Sequence, residues 1–68
     1  MPLVEITLTE GREPERLRAL LAEVHDAVEH ALDAPGQSIR VILREIPEHH
    51  WQSGRVTIAE RKAAAAPQ

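Results

Sequence analysis

Val4, Ile6 and Leu8 alternate with Glu5, Thr7 and Thr9 at the start of the chain, the period-two pattern of a strand with one buried face. The pattern stops at Gly11. Behind the link Glu10-Gly11-Arg12-Glu13, Pro14 suits a first helical turn, and Glu15 puts an acid where the helix dipole favours one. Leu17, Leu20, Leu21, Val24, Ala27, Val28, Ala31 and Leu32 then recur at helical spacings and predict one apolar face of an amphipathic helix. It should end in Leu32-Asp33-Ala34-Pro35-Gly36, where proline cannot continue the helix and glycine supplies the turn.

A second strand is predicted from Ser38 to Ile46. One of its sides carries Ile39, Val41 and Leu43, and the other Arg40, Ile42, Arg44 and Ile46, so both faces are largely apolar and both need cover. A single helix covers one; the other should meet another chain. Strand, helix and strand make a β-α-β unit, which implies parallel strands and a right-handed crossover. Pro47 closes the second strand, residues 48–54 read as a loop, and Arg55 to Ile58 as a short strand. The expected fold class is α/β (α+β), one β-α-β domain over residues 1–58 with a tail over 59–68. The alanine run ending in Pro67-Gln68 has no pattern that packs, so the tail is expected to be a frayed helix end or a partly disordered segment.

Composition strengthens the expectation of association. At 68 residues there is room for one domain, and a chain this short buries roughly 60% of its unfolded surface and is marginal alone. Cysteine is absent and Trp51 is the one aromatic residue, so self-association is the staple still available. No apolar run approaches the ~20 residues of a membrane span, and no secretory segment is visible, which predicts a soluble, cytoplasmic protein. A net charge of −3 argues against nucleic-acid or membrane-surface partners, since both require a basic face.

Several chemistries are disfavoured by spacing. His25 and His30 lie about 140° apart around a helix and do not share a face, while His49 and His50 are adjacent. Neither pair has a third ligand placed beside it, and no metal or cofactor is expected. Ser38 and Ser53 lack the surroundings of a nucleophile elbow, and three glycines leave no phosphate-binding loop. What remains is Pro2 with a few arginines. Once Met1 is removed, Pro2 presents a free secondary amine, and an unperturbed α-amino group titrates near ~7.7 to 8.0. Guanidinium charge or an apolar surround would lower that value and favour a neutral base, and arginine also supplies a planar fork for carboxylates. A strand-initial proline that merely gives up no ladder bond is the structural alternative.

The N-terminal Met-Pro, the link Glu10-Gly11-Arg12, the segment Leu32 to Leu43 (LDAPGQSIRVIL) and an aromatic at Trp51 together resemble the 4-oxalocrotonate tautomerase branch of the tautomerase superfamily. The resemblance runs from Pro2 to about Gly54. It implies a β-α-β subunit with a short C-terminal hairpin, completed by assembly into dimers and then hexamers. It also implies an isomerase that moves a proton within a small enol or dienol 2-oxo acid, with Pro2 as general base. Arg12 would bind a substrate carboxylate, Arg40 from a neighbouring subunit would contact the 2-oxo or 2-hydroxy end, and Trp51 would line the pocket. One departure is visible: Gln52-Ser53-Gly54-Arg55 stands where this branch usually has a glycine-rich hairpin. Other readings remain open: a hydratase, dehalogenase or decarboxylase of the same superfamily, or a non-catalytic oligomeric module. Arg12 as a plain loop residue, Arg40 in an interfacial ion pair and Trp51 as interface packing are the corresponding structural readings.

Overall fold

Parallel strands need a crossover, and a single long helix provides it. The computed structural model describes residues 2–65, which form β1 (Leu3–Thr9), α1 (Pro14–Leu32), β2 (Arg40–Ile46), β3 (Gln52–Ser53), β4 (Val56–Thr57) and α2 (Ile58–Ala65). β1 and β2 pair in parallel, from Leu3 opposite Arg40 to Thr9 opposite Ile46. Arg40 N donates to Pro2 O at 2.9 Å and Glu10 N to Ile46 O at 2.8 Å, which extends the ladder at both ends. The expected β-α-β unit is present. So is the C-terminal hairpin, with β3 and β4 antiparallel and Ser53 opposite Val56.

Alternation decides which side chains meet the helix. Ile39 and Val41 line a shallow groove with Leu21, Ala22 and His25 of α1, and the register puts Val4 beside Val41 and Ile6 beside Leu43 on that side. The opposite side carries Leu3, Glu5 and Thr7 with Arg40, Ile42 and Arg44, and Arg44 Nη1 donates to Thr7 Oγ1 across it at 3.5 Å. Leu3 is 55% exposed and Ile42 46% exposed. Among the described residues, Ile39 at 6% is the one buried hydrophobic side chain. A compact chain of this length would have a radius of gyration of about 11 Å, against 15.8 Å here. The single chain is therefore an elongated half-structure with one sheet face bare.

The ends of α1 follow from main-chain chemistry. Glu13 O accepts from Arg16 N at 3.0 Å and Leu17 N at 3.2 Å, and Pro14 fills the first turn, where no amide hydrogen is needed. At the other end the left-handed residue is Asp33, with φ 52°, and not a glycine. Gly36 opens a 3-10 turn, Gly36–Ser38, and its contribution is a close approach. A Cβ there would lie 2.5 Å from Glu29 Oε2 and 3.5 Å from His25 Cε1.

The C-terminal quarter departs most from the sequence reading. The stretch read as a loop contains a 3-10 turn, Glu48–His50, and the strand β3. The stretch read as a strand through Ile58 stops at Thr57, because Thr57 and Glu60 form a reciprocal cap. Glu60 Oε1 accepts from Thr57 N at 2.8 Å, and Thr57 Oγ1 accepts from Glu60 N at 3.1 Å, the two-way exchange that starts a helix. These bonds lower the Glu60 carboxyl below its usual value, the Thr57 amide contributing most. Residues 59–65, assigned from the sequence to a tail, continue in α2; Ala66, Pro67 and Gln68 lie outside the described residues, as does Met1. An ion pair between Lys62 and Glu48, and a bond from Arg61 Nη2 to Ser53 O at 3.3 Å, tie α2 to the hairpin and the turn before it. No helix among the described residues is long and apolar enough to cross a membrane.

Gly11 and Gly36 are constrained by different physics, and substitution separates them. Gly11 has φ +125° with nothing near its missing Cβ, so Gly11→Ala should cost about 1–3 kcal/mol of backbone strain that no second mutation relieves. Gly36→Ala meets only the far end of the exposed Glu29 side chain, which can swing aside, so it should cost well under the Gly11→Ala loss, and Glu29→Ala should remove what cost remains. Denaturation midpoints at fixed protein concentration would check both.

Candidate active site

Parallel strands start together and finish together. Pro2, half-buried ahead of β1, and Arg40, the first residue of β2, are therefore backbone neighbours at one end of the sheet. The Pro2 carbonyl is used by the ladder, while its ring nitrogen is asked for nothing by the sheet. The Arg40 side chain is exposed, and its Nη1 donates to Gln37 O at 2.7 Å and to Ile39 O at 3.5 Å. Its guanidinium is thus held by carbonyls of the turn that leads into β2.

Arg12 and Trp51 sit at the far end. Arg12 follows the Gly11 bend after β1, and its Nη1 donates to Thr9 O at 3.0 Å. Trp51 follows the Glu48–His50 turn and is half-buried; its carbonyl accepts from Ile58 N at 2.9 Å. At this end Glu10, Gly11, Pro47, Glu48 and His49 border an open groove with Ala59 and Lys62 of α2. The two ends are separated by the seven residues of β1, a span of about 20 Å at ~3.3 Å per residue. One chain brings Pro2 to Arg40 and leaves Arg12 and Trp51 at the other end. It does not bring the two pairs together.

Two further features were not legible in residue types. The Gly36 and Gln37 carbonyls act as acceptors for His25 and Arg40, and main-chain acceptors leave no mark in a sequence. His25 has as neighbours not His30 but Asp26 and Glu29, and the donor atoms of the three all lie within 4.8 Å of one another. Both imidazole nitrogens already face oxygens, Nε2 at 3.0 Å from Gly36 O and Nδ1 at 3.2 Å from Asp26 Oδ1.

Comparison with known proteins resolves what this arrangement belongs to. The family model described as tautomerase enzyme matches residues 2–61. The chain belongs to the tautomerase family. A probable tautomerase of Ralstonia nicotianae is 45% identical over 51 residues, covering 75% of this chain and 73% of the relative. A 2-hydroxymuconate tautomerase of Stutzerimonas stutzeri is 43% identical over 54 residues, covering 79% and 86%. Among solved structures, a 4-oxalocrotonate tautomerase homologue of the tomaymycin biosynthetic pathway superposes with a TM-score of 0.91 at 37% identity, over 96% of this chain and 100% of that one. A heterohexamer 4-oxalocrotonate tautomerase from Chloroflexus aurantiacus superposes at 0.84 with 37% identity, over 88% and 97%. The family resemblance carried by Pro2, the Glu10-Gly11-Arg12 link and the segment Leu32 to Leu43 is thereby established, and the chain is an isomerase of the 4-oxalocrotonate tautomerase type.

Proposed function

We propose that this tautomerase moves a proton within a small enol or dienol 2-oxo acid, at sites built from more than one copy of the chain. The observation that carries this reading is Pro2 at the head of β1, its carbonyl bonded to Arg40 N at 2.9 Å, in a chain of this family. The amine of Pro2, free once Met1 is removed, takes the hydroxyl proton of the enol; the oxygen becomes a carbonyl, and the prolinium returns the proton to a carbon of the same molecule. Atoms and charge balance without a cofactor. In a chain that keeps Met1, the same nitrogen is an amide and has no basic lone pair.

The arginines divide the work. Arg12, on the bend after β1 of the copy paired head to tail, meets a carboxylate remote from the reacting oxygen, and Arg40 from a further neighbouring copy faces the oxygen where charge builds. Trp51 closes the pocket against water. The relatives named 2-hydroxymuconate tautomerase favour a dicarboxylate as substrate, which two separate arginines would suit.

Assembly is part of the same proposal. The bare sheet face with Leu3 and Ile42 needs a partner, and the separation of Pro2 from Arg12 along β1 gives that partner a catalytic duty. A copy paired head to tail sets the Pro2 end of one sheet beside the Arg12 end of the other. The heterohexamer formed by the Chloroflexus aurantiacus relative favours a six-chain assembly, which we read here as dimers built up to a hexamer, with a small carboxylic acid and other copies of the chain as the partners.

Three measurements test this. Mass spectrometry should find that turnover of a simple enol such as phenylenolpyruvate follows the fraction of chains lacking Met1, and equal turnover by the two forms overturns Pro2 as base. Ile42→Asp should shift light scattering from the assembly to smaller, largely unfolded species; a wild type that is a stable monomer removes the composite site. Arg12→Ala should raise KM for a dicarboxylate and leave a monocarboxylate nearly unchanged. Arg40→Ala should lower kcat for both by about 10² or more if it is a principal oxyanion donor, each variant first shown to assemble.

A further inference from the structure

His25 lies on α1 at the back of the sheet, outside the site described above, and its two ring nitrogens face two acceptors. Nε2 is 3.0 Å from the Gly36 carbonyl and Nδ1 is 3.2 Å from Asp26 Oδ1. A carbonyl and a carboxylate can only accept, so satisfying both requires a hydrogen on each nitrogen, which is the imidazolium form. The carbonyl it holds belongs to the Gly36–Ser38 turn, and the next carbonyl of that turn, Gln37 O, receives the Arg40 guanidinium at 2.7 Å. Gly36 packs against His25 and Glu29 closely enough that a Cβ would not fit without moving Glu29. Ser38 N and Ser38 Oγ both donate to Pro35 O, at 2.9 and 2.7 Å, which closes the turn on its N-terminal side.

We propose that His25 is a positioning residue for the reaction: as an imidazolium it latches the Gly36–Ser38 turn to α1, and through the Gln37 carbonyl that turn fixes the direction in which Arg40 presents its guanidinium. This rests on the reading of Arg40 as the residue that faces the reacting oxygen. The linkage is short, two side chains joined through adjacent peptides of one turn. His25 touches one peptide and Arg40 touches the next.

The surroundings of the ring favour the charged form. Along α1, Asp26 and Glu29 supply negative charge, while Arg18 borders the same groove. From β2 the groove is bordered by the apolar Ile39 and Val41, and the turn contributes the Gly36 carbonyl. The His25 pKa is raised above its ordinary value, chiefly by the bond to Gly36 O and next by Asp26, against a smaller opposing effect of desolvation. For a group raised on folding, its contribution is complete below the unfolded value of about 6.5 and is lost as pH rises through the folded value. Above that, the ring has one hydrogen for two acceptors. Any bond it keeps to Gly36 O loses its charge assistance.

The test pairs kinetics with nuclear magnetic resonance. His25→Ala should lower kcat about fivefold, the scale of one lost hydrogen bond, with KM little changed. His25→Gln keeps a donor near Nε2 and should restore most of that loss while removing the His25 limb of the pH profile. In an Arg40→Ala background, His25→Ala should have no further effect, since the latch acts through Arg40. In wild-type protein the Arg40 Nε–H and Gln37 amide signals should titrate together with the His25 ring, at a pKa above 6.5. Full activity of His25→Ala across pH, or additive losses in the double variant, overturns the latch while leaving Pro2 and Arg40 in place. If Arg40→Ala itself is fully active, the reading of Arg40 fails and the latch loses its role in the reaction. The titration then reports the physical link alone, and an Arg40 signal that ignores the His25 titration overturns that as well.

Discussion

The parallel pairing of β1 with β2 is the constraint from which the other features follow. Running both strands the same way obliges the chain to return along the whole sheet, which is why most of the residues between them are helix. It also gathers both strand beginnings at one end and both strand endings at the other. Pro2 meets Arg40 through a main-chain bond at the first end, and the Gly11 bend meets Pro47 and the following turn at the second. A hairpin of the same two strands would have placed Pro2 beside Ile46 instead. The chemistry of each end is thus decided by strand direction before any side chain is chosen.

The same geometry accounts for the thin interior. Two strands offer two faces, α1 takes one, and the face with Leu3 and Ile42 stays in contact with solvent. Leu32, the last residue of α1, is 64% exposed as well, so the apolar stripe of the helix outruns the sheet it covers. Hydrophobic burial within one copy is small by construction. The surface that would stabilise the fold and the surface that would complete the site coincide, so folding, association and activity are expected to rise and fall together.

Much of this was legible in the chain because it is written in side-chain periodicity. The alternation of Val4, Ile6 and Leu8 and the helical spacing from Leu17 to Leu32 report directly on which faces are covered, and the double-sided apolar pattern of β2 reports a missing neighbour. The C-terminal part was read less well. Thr57 and Glu60 carry a spacing that caps helices, but Val56, Thr57 and Ile58 in succession look like a strand, and β-branched propensity obscured the cap. Gly36 followed a proline and looked like a turn residue, and it does open the 3-10 turn, whereas the left-handed position fell on Asp33. Hydrogen bonds to main-chain carbonyls, such as those received by Gly36 and Gln37, are invisible to any reading of residue types, because every residue carries the same carbonyl.

The rung between the Pro2 carbonyl and the Arg40 amide has a consequence for the proline nitrogen. That nitrogen lies two covalent bonds from the bonded carbonyl carbon and is closed into a ring, so it has no rotamer of its own to search. A lysine or histidine given the duty proposed for Pro2 would surrender side-chain rotamer freedom each time it found its working geometry, a loss of up to about 2 kcal/mol for the longest side chains. A ring nitrogen anchored by the sheet surrenders almost none. Its orientation is as stiff as the strand that carries it, and it would soften only if the first rung of the ladder frayed.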